Sequence, residues 1–164
     1  MFKRFLTALV LSLIPFSSFD ANSDEMKVGY GYFSKGDDSP SFPYESYMTE
    51  VTYVFDEKLS LPYGLDPLIG ALKAGTAKMV YAGAQKRFQF NNFAIIPSFA
   101  PGYFDDGDGK KMGKDLQFKS QIELAYEFYN GYEIGYAWSH ISNANLGDVN
   151  PGSDNEMVFI NKKF

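Results

Sequence analysis

Between Asp115 and Ser142 the chain alternates apolar and polar side chains almost without a break, and Asn130-Gly131 folds that run in half. Leu116, Phe118, Ile122, Leu124, Tyr126 and Phe128 take one parity; Asp115, Gln117, Lys119, Gln121, Glu123 and Glu127 take the other. Beyond the Asn-Gly pair, Tyr132, Ile134, Tyr136 and Trp138 oppose Glu133, Gly135, Ala137 and Ser139. A period of two is strand geometry, and Asn-Gly between two such runs is the strongest short hairpin signal. The chain is therefore antiparallel β, and the question becomes what each face meets.

The same pattern recurs upstream. Met26, Val28, Tyr30 and Tyr32 alternate with Lys27, Gly29 and Gly31; Tyr47, Val51, Tyr53 and Phe55 oppose Glu50 and Thr52. Leu59 to Ala74 is broken by Pro62, Pro67 and glycines, and one strand is expected near Pro67 to Lys73. Lys78 to Phe90 reads as a strand, Asn91-Asn92 as a tight turn, and Phe93 to Tyr103 as the return strand. With Asp154 to Phe164 as the last, eight strands are expected.

Two features separate a membrane barrel from a soluble sandwich. Short turns (Asp56 to Lys58, Asn91-Asn92, Asn130-Gly131) interleave with longer loops (Ser34 to Glu45, Phe104 to Lys114, Asn143 to Ser153), as in outer-membrane barrels. The polar face also carries full charges in mid-strand, Glu50, Arg87, Lys119, Glu123, Glu127 and Glu133. Inside a small barrel such charges pair with one another while the apolar face meets lipid. A soluble sandwich explains the alternation but not the loop parity.

The amino terminus agrees with export. Lys3 and Arg4, an apolar run from Phe5 to Phe16, and small residues from Ser17 to Ala21 have the layout of a secretory signal. The expected organisation is a cleaved leader over 1–21, cut after Ala21 or near Ser18, and one barrel domain over 22–164. The 16 Phe and 12 Tyr suit strands and interfacial belts. No Cys excludes disulfides and thiolate chemistry, and a net charge of −5 without a basic block argues against nucleic acid. The terminal Phe164, with Val158 and Ile160 spaced behind it, resembles a barrel-insertion signal, broken in part by Lys162.

Against this background the only histidine is out of place. His140 and Ser142 continue the apolar face of the Tyr132 strand. A packed core would require buried partners for both; a lipid-facing wall would put them at its rim. Counted from the Asn130-Gly131 turn, His140 lies about 19 Å up an apolar band of about 25 Å. The outward face of the last strand carries Asp154 and Glu156. A hydroxyl, an imidazole and carboxylates on one patch are what acyl transfer needs: a base to free the nucleophile and an acid to orient the base. His140 is the candidate base, an imidazole's ordinary pKa near 6.5 suiting the task. Asn143 and loop N–H groups are the candidate oxyanion donors. By spacing alone, His-x-Ser is a weak signal, and an interfacial His and Ser without catalytic use is the reading that spacing favours.

The run H-I-S-N-A-N at His140 to Asn145, with N-P-G at Asn150 to Gly152, resembles the signature of the PagL family of outer-membrane lipid A 3-O-deacylases. The L-x-F-x-S-x-I-E-L-A-Y-E-F run from Leu116 and the Y-A-G at Tyr81 to Gly83 are also similar to that family. The resemblance implies an all-β, eight-stranded up-and-down transmembrane barrel with its site on the lipid-facing exterior. It implies Ser142 as nucleophile, His140 as general base and Asn143 in the oxyanion hole. The family's pattern has a glutamate where this chain has Asp154; Glu156 is the alternative acid. Neither metal nor cofactor is implied, and the partner is lipid A of lipopolysaccharide in the outer leaflet. A homodimer is left open, as are a non-catalytic structural or adhesive barrel and acyl transfer to another lipid. Lys110, Lys111 and Lys114 are expected to be solvated loop residues, with contact to lipid A phosphates as the other reading.

Overall fold

The computed structural model describes residues 24–35, 45–55 and 61–164. The expected leader over 1–21, most of the Ser34 to Glu45 loop and the turn at Asp56 to Lys58 lie outside the described residues. The strands are β1 Glu25–Phe33, β2 Ser46–Val54, β3 Asp66–Ala74, β4 Ala77–Gln85, β5 Phe88–Phe90, β6 Phe93–Asp105, β7 Leu116–Tyr129, β8 Tyr132–Ser142 and β9 Ser153–Lys163. They form one antiparallel sheet in the order β4-β3-β2-β1-β9-β8-β7-β6-β5, closed by β4 pairing with β6. Since β4 and β5 lie end to end against β6, nine segments make an eight-stranded up-and-down barrel.

The break between β4 and β5 corrects the continuous strand expected over Lys78 to Phe90, and its cause lies on β6. The Lys86 N–H donates to the Pro97 carbonyl at 2.9 Å, but proline has no N–H to return the bond. Pro101, also on β6, stands where the β4–β6 ladder skips from Tyr81–Gly102 to Ala84–Phe99. The loop parity also needs correction. Gly75-Thr76 closes β3 to β4 as a two-residue turn at the end that carries the long loops, with Gly75 at φ 61°. At the opposite end β2 stops at Val54 and β3 starts at Asp66, and the short turn expected between them falls outside the described residues.

Inside and outside are inverted relative to a soluble protein. Glu25, Lys27, Glu50, Lys119, Glu123 and Glu133 are buried in the lumen. Leu124, Ile134 and Val158 on the outer face remain more than half exposed, at 55, 53 and 59%. The luminal charges are paired: Lys27 Nζ lies 2.8 Å from Glu123, Lys119 Nζ 2.5 Å from Glu50, and Arg87 reaches Glu25 and Glu133 at 2.8 and 2.9 Å. Apolar side chains outside and paired charges inside are stable only where the surroundings are hydrocarbon. Among the described residues no helix is long and apolar enough to cross a membrane. At the turn end Lys162 folds onto the Asn130 carbonyl at 2.7 Å and over the Tyr132 ring, keeping its charge off the apolar wall.

Candidate active site on the barrel exterior

β8 emerges at the long-loop end with His140 and Ser142 on its outward parity and Ile141 and Asn143 buried. The antiparallel register seats His140 between Ser120 of β7 and Asp154 of β9. The imidazole leans toward β9: its Nδ1 lies 2.8 Å from Asp154 Oδ1, with the two side chains 42 and 58% exposed. Since a carboxylate only accepts, Nδ1 carries the proton of the neutral ring and Nε2 is left as acceptor.

That second edge has a seat made for it. Ile141 pairs with Ser153, so the next step of the register sets Ser142 opposite Gly152. A Cβ built on Gly152 would come within 3.1 Å of His140 Cε1 and 3.5 Å of Nε2. Nε2 thus faces the row of Ser142, away from Ser120. In the sequence Gly152 appears only as part of N-P-G; its spatial role depends on a register that spacing does not reveal.

Glu156, the alternative acid, is one row further from the loops and pairs across the sheet with Trp138 rather than with His140. Its carboxylate is bound by Lys35 Nζ and by the Tyr136 hydroxyl. The Lys35 ammonium is held above its usual pKa range, first by its hydrogen bond to Glu156. Lys35 also donates its backbone N–H to the Asp154 carbonyl at 2.9 Å. Sequence reasoning missed this lysine because it follows β1, far from the motif in the chain.

Asn143 points inward. Its Nδ2 donates to the Met112 and Val149 carbonyls at 3.0 and 2.7 Å, and its backbone N–H donates to Asn150 Oδ1 at 3.1 Å. Both amide protons are therefore committed, one tying the 143–152 loop to the 106–115 loop and the other bracing the 143–152 loop itself. The Asn143 carbonyl then accepts from Leu146 N–H at 3.0 Å, with Ala144 and Asn145 at φ 51° and 61°. This is a tight turn with two non-glycine residues in the left-handed region, strain of the kind concentrated at working sites.

Of the three loop lysines one is buried and two are exposed. Lys110 is buried and donates to Ser34 Oγ at 2.8 Å, Lys111 to the Gly107 carbonyl at 2.6 Å and Lys114 to the Leu146 carbonyl at 3.0 Å. The expectation of solvated side chains fails for Lys110, which helps close the barrel mouth, and holds for Lys111 and Lys114, which stay exposed. Among the described residues no group of three or more His, Asp or Glu is placed to hold a metal ion.

A closed eight-stranded barrel, apolar outside and charged inside, with a histidine–carboxylate pair on its outer wall, defines an outer-membrane protein with a candidate site facing lipid. The profile of the PagL family, lipid A 3-O-deacylase, matches residues 26–163, and the chain belongs to that family. Among solved structures the fold is similar to the crystal structure of the outer membrane enzyme PagL, with TM-score 0.66 and 16% identity over 85% of this chain and 99% of that one. It is also similar to Neisserial surface protein A, with TM-score 0.53 and 10% identity over 87% and 96%. No curated protein sequence matches.

Proposed function

We propose that this chain is a serine esterase that hydrolyses the acyl ester at the 3-position of lipid A in the outer leaflet. The observation that carries the proposal is the contact between His140 Nδ1 and Asp154 Oδ1 on the lipid-facing wall, two residues from Ser142 on the same face. Family membership supports the reaction class, and the geometry supports the division of roles. We also take residues 1–21 as the export leader of a single barrel domain over 22–164.

In this reading His140 Nε2 removes the proton from Ser142 Oγ as that oxygen attacks the ester carbonyl. The Asp154 carboxylate holds the ring with Nδ1 protonated and stabilises the imidazolium that forms. The tetrahedral intermediate collapses, and the sugar oxygen leaves with the proton from Nε2. Water, deprotonated by the same nitrogen, then attacks the acyl-serine and releases the free fatty acid. An oxyanion needs donors aimed at the developing charge. With the Asn143 amide committed elsewhere, the backbone N–H groups of Ala144 and Asn145 suit this role, and Asn143 serves by holding their turn. The ring is reached from the bilayer, so the substrate need not leave the leaflet to meet it.

The test is direct. Purified protein in detergent, given lipopolysaccharide, should release a hydroxy fatty acid, and Ser142→Ala should abolish the release. Correctly folded wild type that releases nothing would favour a structural or adhesive barrel. Transfer of the chain to a second lipid would show as acylated acceptor in place of free acid.

A further inference from the structure

Asp154 and Glu156 share the outward face of β9, and Lys35 starts beside the first while ending on the second. Its backbone N–H is bound to the Asp154 carbonyl, so the root of its side chain is level with the triad acid. The side chain runs down the wall to Glu156 and is 48% exposed there, while Glu156 is 31% exposed and also bound by Tyr136. An ammonium facing the acyl region is unfavourable without an anionic partner. Were Glu156 neutral, the carboxylates left to the same side chain would be Asp154, level with its root, and Glu45, whose charge also acts on the ammonium. A carboxylate that takes up an ammonium orients an imidazole less well and stabilises its cation less.

We propose that Glu156 is a positioning residue for catalysis: it holds the Lys35 ammonium away from Asp154, so that the Asp154 carboxylate serves His140 alone. This rests on the deacylase reading above, with Asp154 as the orienting acid. Glu156 touches neither substrate nor the imidazole in this role. It acts through Lys35, and its loss is harmful only while Lys35 is present.

That conditional dependence is the test. Wild type, Glu156→Gln, Lys35→Met and the double variant are folded in detergent, checked for heat-resistant barrel mobility on gels, and assayed on lipopolysaccharide. Glu156→Gln is expected to lower kcat about tenfold with little change in KM, a typical penalty for disturbing the partner of a functional histidine. Lys35→Met and the double variant are expected to stay within about twofold of wild type, the signature of coupling rather than additivity. His140 is the only histidine, so nitrogen-15 imidazole NMR reads its Nδ1–H···Asp154 hydrogen bond without ambiguity. That proton signal should weaken in Glu156→Gln and return in the double variant. Full activity of Glu156→Gln, or a double variant as impaired as Glu156→Gln, overturns the proposal. If wild type itself releases no fatty acid, the deacylase reading fails, while the NMR comparison still decides whether Glu156 keeps Lys35 off Asp154.

Discussion

Gly152 lies under the edge of the His140 ring, at φ 65°, where any side chain would meet Cε1 at 3.1 Å. His140 is on β8 and Gly152 ends the loop that leads into β9, and the absence of a Cβ on one sets where the other can rest. Gly152→Ala should therefore push the imidazole off its seat and add left-handed strain of about 1–2 kcal/mol. The expected result is a loss of at least about tenfold in kcat, as for small misplacements of catalytic groups, with a folding free energy lowered by no more than that strain. Kinetics on lipopolysaccharide beside a denaturant titration would measure both.

Asn143 provides a second separation of geometry from chemistry. Asn143→Ala leaves the Val149 carbonyl without its side-chain donor and the Met112 carbonyl with that of Gln117 alone, at about 1–3 kcal/mol for a buried group left unsatisfied. Hydrogen exchange in the 106–115 and 143–152 loops should speed up together with the fall in activity. Lost activity with unchanged exchange would mean that the amide acts on the substrate itself.

The luminal pair Lys119 and Glu50 is buried at 2.5 Å, so breaking it from one side is more harmful than removing it. Lys119→Met strands the Glu50 carboxylate and should destabilise the barrel by about 3–5 kcal/mol, whereas adding Glu50→Gln should recover most of that loss. Folding free energies from urea titration into lipid vesicles would show the asymmetry.

On the outer wall the opposite rule holds. Leu124 and Ile134 face away from the lumen, and Leu124→Arg should cost about 2–4 kcal/mol of insertion free energy near the bilayer centre. Placed in an aqueous surface, the same change would be nearly neutral. The same vesicle titration reads the difference.

Much of this architecture was legible because a strand writes its two faces directly into its sequence. Glu123 against Leu124 and Glu133 against Ile134 give inside and outside once the hairpin at Asn130-Gly131 is placed. What stayed hidden depends on the partner strand. The interruption at Lys86-Arg87 is caused by Pro97 across the ladder, and the Gly75-Thr76 turn was masked by prolines and glycines preceding it. His140 and Asp154 could be put on outward faces from parity, but their pairing is a matter of register. The inward turn of Asn143, the burial of Lys110 and the hold of Glu156 on Lys35 are made by loops folding back over the mouth or wall, and no local pattern encodes them.

The central claim is that Ser142 carries the acyl chain between the lipid and water. Intact-protein and peptide mass spectrometry of rapidly quenched enzyme with lipopolysaccharide should find a hydroxyacyl adduct on the peptide containing Ser142, enriched in a variant slow to deacylate and absent from Ser142→Ala. Fatty acid released at the wild-type rate by Ser142→Ala, with no adduct on that peptide, would contradict it.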